Sequence, residues 1–530
     1  MPKSSPVSCC AFRVVWVRLV AVWAVLLSSS PARAQRAIWI WDGEGVGDNF
    51  GIVGAAGDVN GDGAADILVG APSNSTDTLR GGRAYVYSGA SGTLLYRFAS
   101  SEDLENVGIS VAGIGDLDGD GRDEIAIGAS GADNAIALDM GRADVWSGSS
   151  SVLSLLGEGR RNLFGNSVSA AGDVDGDGVP DFIVGAMLWQ EFSPNFQKGR
   201  GYVYSGATGS VLHTFTGQTE GDLFGVSVCG AGDVNADGFA DVIVGAMLDS
   251  VVASREGRGF VYSGVDGSLL YQLDGQFAFE GFGFSCDGVG DVNLDGYDDF
   301  LIGSATSVTP GHSYLYSGRD GSVLYHDVGE RDGDRFGQSV AGAGDVNGDG
   351  YPDYLISAAD AGPNQRGRVY LYSGRFGRLL YRWTGGRARR QFGWSVAGVG
   401  DVDGDQLADI AVGDITFNGT GPDAGRAYVY AGNDLFLQAQ PGSVGVGETL
   451  RLRTRGGEPG NVAGLLLVSV NGLPANVLVD IGVLDAVGEW TVSGVAPPSF
   501  AGLQSIDVVA LSGAGTGTLA DSELVRVGIH

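Results

Sequence analysis

The chain has 530 residues, with 63 acids against 32 bases and a formal net charge of −31. Such an excess of negative charge repels nucleic acid and anionic membrane surfaces, which excludes both as partners. Glycine is abundant, at 92 residues against 15 prolines, but no Gly-X-Y period runs through the chain, so collagen is excluded, and a hydrophobic content of 44% is enough to bury a core.

The N-terminus reads as a secretion signal. Lys3, Arg13 and Arg18 supply positive charge, Leu19 to Leu27 an apolar stretch, and Ala32-Arg33-Ala34 a small-residue cleavage site. Residues 1–34 are therefore expected to be removed, leaving a secreted or cell-surface chain. The apolar stretch is too short to span a membrane, and no insertion is expected after cleavage. Cys9 and Cys10 would leave with the signal, so Cys229 and Cys286 remain, in neighbouring repeats. They are compatible with a disulfide in an oxidising compartment or with two buried free thiols, because the sequence does not fix their separation.

From Phe50 onward one pattern recurs seven times, and Phe164 opens its clearest copy, FGNSVSAAGDVDGDGVPDFIVGA, followed by GRGYVYSGATGSVLHTFTG. The acidic segments open at Asp58, Asp116, Asp173, Asp233, Asp291, Asp345 and Asp401, 54 to 60 residues apart. Each unit reads as four short strands: one after the FG pair, one after the acidic segment (FIVGA at Phe182), one in G-R-x-Y-V-Y, and one like LLYRF at Leu94, with an S-G-x-x-G turn before the last. Four antiparallel strands repeated seven times predict a seven-bladed β-propeller, all-β. The seventh unit lacks a good fourth strand. Trp41 to Gly51 aligns without gaps on Phe215 to Gly225, so Ala37 to Trp41 is expected to complete the last blade and close the ring. Residues 35–433 thus form the propeller. Alternating apolar stretches in 434–530 (LRLRT at Leu450, LLLVSV at Leu465) predict a small C-terminal β-sandwich.

The acidic segment is D-x-[DN]-x-D-[GQ]-x-x-[DE]. Oxygens at alternate positions point inward when such a loop curls round a cation, position seven offers a backbone carbonyl, and glycine at position six permits the turn. The candidate ligands are, in the first unit, Asp58, Asn60, Asp62, Ala64 and Asp66; in the second, Asp116, Asp118, Asp120, Arg122 and Glu124; and in the third, Asp173, Asp175, Asp177, Val179 and Asp181. The fourth unit offers Asp233, Asn235, Asp237, Phe239 and Asp241; the fifth, Asp291, Asn293, Asp295, Tyr297 and Asp299. The sixth offers Asp345, Asn347, Asp349, Tyr351 and Asp353; the seventh, Asp401, Asp403, Asp405, Leu407 and Asp409. Hard, mostly charged oxygen ligands without His or Cys select Ca²⁺, up to seven ions. Position twelve is apolar and already strand, so these are not EF-hands. Metal-free Asx turns are the alternative. Against it, two carboxylates ~4 Å apart repel by up to ~4 kcal/mol at an effective dielectric near 20, a cost that a divalent ion removes. Gln406 stands where glycine is expected, which predicts a left-handed residue and weaker binding at the seventh loop.

FG followed nine residues later by D-x-D-x-D-G-x-x-D and then a V-G-A strand resembles the FG-GAP repeats of the integrin α-chain N-terminal propeller, over about 400 residues. That resemblance implies that the loops bind Ca²⁺ on one face and stiffen the blades. Departures are Val107 for Phe in unit two, Glu124 for Asp at position nine, and one residue fewer after FG in unit one.

For function, the first expectation is an extracellular binding or adhesion module whose partner is a protein or glycan. The connections opposite the acidic loops carry the insertions. Trp189, Phe192 and Phe196 in unit three are the ligand-face candidates, with a small satellite core as the alternative. A hydrolase or lyase acting on polysaccharide or lipid, and a purely structural surface protein, are the other readings. His213, His312, His326 and His530 sit in unrelated repeat positions, and the recurrent Arg of the G-R strand suggests a structural ion pair, so no catalytic residue is assigned.

Overall fold

A computed structural model describes residues 37–432 apart from 134–138, 191–196, 251–254, 307 and 387–390, and beyond them the backbone of eight strands between Leu437 and Ile529. The expected signal at 1–34 lies outside the described residues. Among the described residues no helix is long and apolar enough to cross a membrane.

Seven four-stranded antiparallel sheets form the blades. In blade three the strands are Phe164–Gly172, Asp181–Ala186, Arg200–Tyr204 and Val211–Thr216, with Val168 opposite Val184, Val184 opposite Tyr202, and Tyr202 opposite Thr214. The inner strands of successive blades contact one another all the way round, blade seven meeting blade one. The second strand of every blade is buried along its whole length because each of its faces meets an adjacent blade. The core is accordingly a ring of inter-blade clusters. One of them joins Ile183, Val203 and Phe215 of blade three to Phe224, Val244 and Phe260 of blade four.

The two sequence signatures meet at these seams. A Cβ on Gly185, of the V-G-A strand, would lie 2.3 Å from the carbonyl of Gly225, the FG glycine of the next blade, which itself has φ +84. Only glycine fits both sides of so close a backbone approach. The FG phenylalanine packs edge-on against the third-strand tyrosine of its own blade, as Phe164 does on Tyr202 with centroids 5.6 Å apart. In blade two both partners are replaced together: Val107 faces a third strand in which Asp144 takes the tyrosine position and binds Arg142 and Ser154 instead.

The ring closes as the sequence predicts. Ala37–Asp42 pairs antiparallel with Arg426–Tyr430 and completes blade seven. Its tryptophans then tie that blade to blade one: the indole N–H of Trp39 donates to the Gly89 carbonyl (2.7 Å), that of Trp41 to the Gly92 carbonyl (2.9 Å), and Trp41 stacks on Tyr87. Equivalent fourth-strand side chains do the same elsewhere: His213 contacts the Gly264 carbonyl and Tyr271 that of Gly318, both at 2.6 Å. His213 is thereby a seam residue. The C-terminal strands make one three-stranded and one five-stranded sheet.

Candidate metal sites

Every acidic loop joins the first and second strands of a blade, so all seven lie on one face of the propeller. Their internal bonding is uniform. The position-one aspartate curls the chain around itself: in all seven loops one of its oxygens accepts the N–H of position six at 2.7–2.9 Å, as Asp173 does from Gly178. The position-five carboxylate accepts the N–H of position seven (Ala64, Arg122, Val179, Phe239, Tyr297, Tyr351, Leu407). The position-nine carboxylate, buried throughout, accepts the N–H of position two in every blade, as Asp181 does from Val174 at 2.8 Å. In six blades its second oxygen accepts an N–H from the glycine after the third strand, such as Gly206 on Asp181 at 2.9 Å. This residue therefore fastens the loop to the blade beneath it.

Blade two is the exception. Glu124 is one methylene longer than Asp, and its Oε1 is buried with no hydrogen-bond partner. A buried carboxylate oxygen left in that state calls for a proton or a cation.

The structure gathers positions one, three and nine. Ligand oxygens of Asp116, Asp118 and Glu124, of Asp173, Asp175 and Asp181, and of Asp401, Asp403 and Asp409 lie within 4.8 Å of one another in three separate groups. These are the loops with four acids. The position-five acids Asp120, Asp177 and Asp405 are not drawn into the groups. In loops one and six position three is Asn60 or Asn347, whose amide nitrogen donates to the position-nine carboxylate at 3.0–3.2 Å. A cation there requires the amide to turn its oxygen inward.

The electrostatics match a cation-binding donor set. Burial, reinforced by the other loop acids and partly offset by backbone N–H donors, pushes the position-nine carboxyl up to about 6 at Asp66 and about 7 at Asp241, Asp299 and Asp409. Glu124, Asp181 and Asp353 move in the same direction for the same first cause. Without a positive partner these loops favour holding a proton, and a divalent ion supplies the missing charge.

Neighbouring loops are linked. The N–H at position eight donates to the position-one carbonyl of the preceding blade: Asp123 to Asp58, Ala240 to Asp173, Asp298 to Asp233, Ala408 to Asp345 and, across the closure, Ala65 to Asp401 (3.0–3.3 Å). At the other two seams position eight is Pro180 or Pro352, which have no N–H to give. Gln406 is left-handed, with φ +72, as its place in the loop predicts. Position four is left-handed too, and there Ala236 (φ 57) and Leu294 (φ 58) stand where five loops have glycine, a strain the motif did not reveal.

On the opposite face Trp189 is buried. Its indole donates to Glu158 (2.9 Å), and the Arg200 guanidinium lies 3.3 Å over its ring. It packs in the core cluster between blades two and three with Phe164, Phe182 and Tyr202. Phe192 and Phe196 lie outside the described residues. Among the described residues the exposed aromatics on this face are Phe277 and Phe279, in the connection from blade four to blade five. Phe279 borders a groove of about 450 Å³ with Met247, Phe284, Arg255 and Arg335. A one-residue aromatic alternation in a short connection carries no periodic signal, which is why the sequence did not mark it. The recurrent arginines make ion pairs, among them Arg142 with Glu105 (2.7 Å) and Arg200 with Glu158 (2.8 Å). In blade five His312 takes the arginine's place and pairs with His326 (3.1 Å).

Seven blades closed into a ring, with an acid-rich hairpin loop at the same corner of each, define a seven-bladed β-propeller that gathers acidic groups able to hold a metal along one face. Residues 50–87, 107–153, 164–205, 224–263 and 336–372 match the FG-GAP repeat. Blades five and seven, which carry His312 and Gln406, lie outside the matched stretches. The chain is 30% identical to integrin alpha-5 of Xenopus laevis over 40% of its length and 28% identical to integrin alpha-V of Gallus gallus over 46%. To integrin alpha-4 of Xenopus laevis it is 37% identical over 28%. These alignments span 22%, 19% and 15% of the respective relatives, about a fifth of their length. Five of the seven blades thus carry FG-GAP repeats, and part of the chain is similar to integrin α chains.

Proposed function

We propose that the protein is a secreted, calcium-binding propeller that acts as an extracellular binding or adhesion module, with residues 1–34 removed and residues 434–530 forming a second, β-sandwich domain. The buried position-nine carboxylate of each loop carries the calcium reading. It is fastened to the blade by backbone donors, set beside two further oxygen donors in the four-acid loops, and biased toward protonation when no cation is near. Oxygen-only donors in flexible loops suit Ca²⁺ among common divalent ions. Because the loops are hydrogen-bonded from blade to blade, bound ions would brace the ring as well as each hairpin.

The partner, an extracellular protein or glycan, would meet the face opposite the loops, where the connections diverge. The groove beside Phe279 is the surface there that combines exposed aromatic area with cationic side chains. A glycan and matrix-protein array probed with the mature chain, with and without chelator, tests this. Calcium-dependent binding that Phe279→Ser weakens is expected. Binding that ignores both chelator and substitution would overturn it.

A further inference from the structure

Counting the FG phenylalanine as one, Cys229 is the sixth residue of the inner strand of blade four, and Cys286 the fifth of blade five. As equivalent strands go they are out of register. The ring corrects this, because its stagger sets position six of one blade against position five of the next. Between blades one and two the equivalent places, blade one having one residue fewer after its FG pair, belong to Gly54 and Val111, and a Cβ on Gly54 would stand 3.3 Å from Val111 Cγ2. Between blades four and five they belong to the two cysteines, whose Sγ atoms are 2.8 Å apart.

The bonding at this seam is different as well. At four seams a serine hydroxyl accepts the N–H of the equivalent inner-strand valine in the next blade: Ser110 from Val168, Ser167 from Val228, Ser339 from Val396 and Ser395 from Val53, at 2.9–3.2 Å. In blade four Ser227 instead donates to the Gly283 carbonyl (3.0 Å), and in blade five Ser285 donates to that of Gly337 (2.9 Å). Between blades five and six the carboxylate of Asp287 spans the gap, accepting the Gly342 N–H at 3.0 Å. Between blades four and five the sulfur pair occupies the corresponding place.

We propose that Cys229 and Cys286 form a disulfide that staples blade four to blade five. The two thiols give up two protons and two electrons as the Sγ–Sγ bond forms, and a low-molecular-weight disulfide accepts them and is split into two thiols. Thiolate attack needs access, and Cys229 is buried in the closed ring. The bond therefore forms while the blades assemble and resists reductant afterwards. In the cell this step draws on the secreted reading above, since an oxidising compartment supplies the acceptor.

The test is independent of that reading. The full chain is refolded in a buffer of reduced and oxidised glutathione, digested without reduction and analysed by mass spectrometry, and a parallel sample is denatured and treated with a maleimide. The expected result is a linked Cys229–Cys286 peptide two hydrogens lighter than the reduced pair, with neither Cys229 nor Cys286 labelled unless reductant is added after denaturation. Cys229→Ser should expose Cys286 to the label. Both cysteines labelled in the unreduced, denatured wild type would overturn the proposal. A linked peptide after refolding but free thiols in material from the producing cells would support the staple and count against secretion.

Discussion

The two faces of the propeller are built from the same seven repeats and have different rules. On the loop face each blade presents the same nine-residue pattern in one hydrogen-bonded shape, and 24 of the 63 acids of the chain fall at its candidate ligand positions. Toward the other face the blades differ: a buried Trp189 between the second and third strands of blade three, exposed Phe277 and Phe279 between blades four and five, and a histidine pair on the third and fourth strands of blade five. Repetition marks what the fold requires, and divergence marks where the blades are free to differ.

That contrast can be broken in several places. The largest effect is expected from Trp189→Ala, because this residue sits on the variable face yet is buried. A loss of about 3–5 kcal/mol in denaturant unfolding is expected, and a change under 1 kcal/mol would mean that its burial contributes little. Asp181→Ala removes the acceptor of two buried N–H groups, those of Val174 and Gly206. At about 1–3 kcal/mol for each orphaned group, together with one lost calcium in titration calorimetry, it should exceed any substitution at an exposed connection residue.

Between the two faces, Asp287 sits in the channel wall and is pushed up to about 7 by burial, against the opposing N–H of Gly342. Its folded form holds the proton more tightly than the unfolded chain, whose carboxyl titrates near 4. Its contribution to stability is therefore fully present at low pH and is lost as pH rises from about 4 to about 7. Asp287→Asn should flatten that part of the stability profile, and an unchanged slope would show that the carboxyl is not protonated in the fold. Smaller still, Gln406→Gly and Leu294→Gly relieve left-handed residues and should each stabilise the calcium-loaded loop by about 1 kcal/mol, read as up to about fivefold tighter binding. Phe279→Ser, half exposed, should change stability by under about 0.5 kcal/mol while weakening partner binding.

What the sequence made legible follows the same division. The blades, the closing strand read as Ala37 to Trp41 and the left-handed Gln406 were readable, because a pattern repeated seven times separates required residues from incidental ones. Features that depend on what a neighbouring element supplies were hidden. Trp189 is buried by Glu158 and Arg200, which come from separate parts of the chain. The contact between Cys229 and Cys286 depends on the inter-blade stagger, and alignment of equivalent strands puts them in different registers. The left-handed turn at position four escaped notice because Ala236 and Leu294 disguise a glycine site.

The central claim is that one face of this ring is a set of calcium sites, and counting the metal tests it most directly. The purified chain, stripped with EGTA and titrated with Ca²⁺ in a calorimeter beside elemental analysis of the reloaded protein, should take up close to seven ions per chain. Its melting temperature should rise with the loading, as ions that bind only the folded state require. Uptake of less than one ion per chain, with melting the same in EGTA and in calcium, would contradict it.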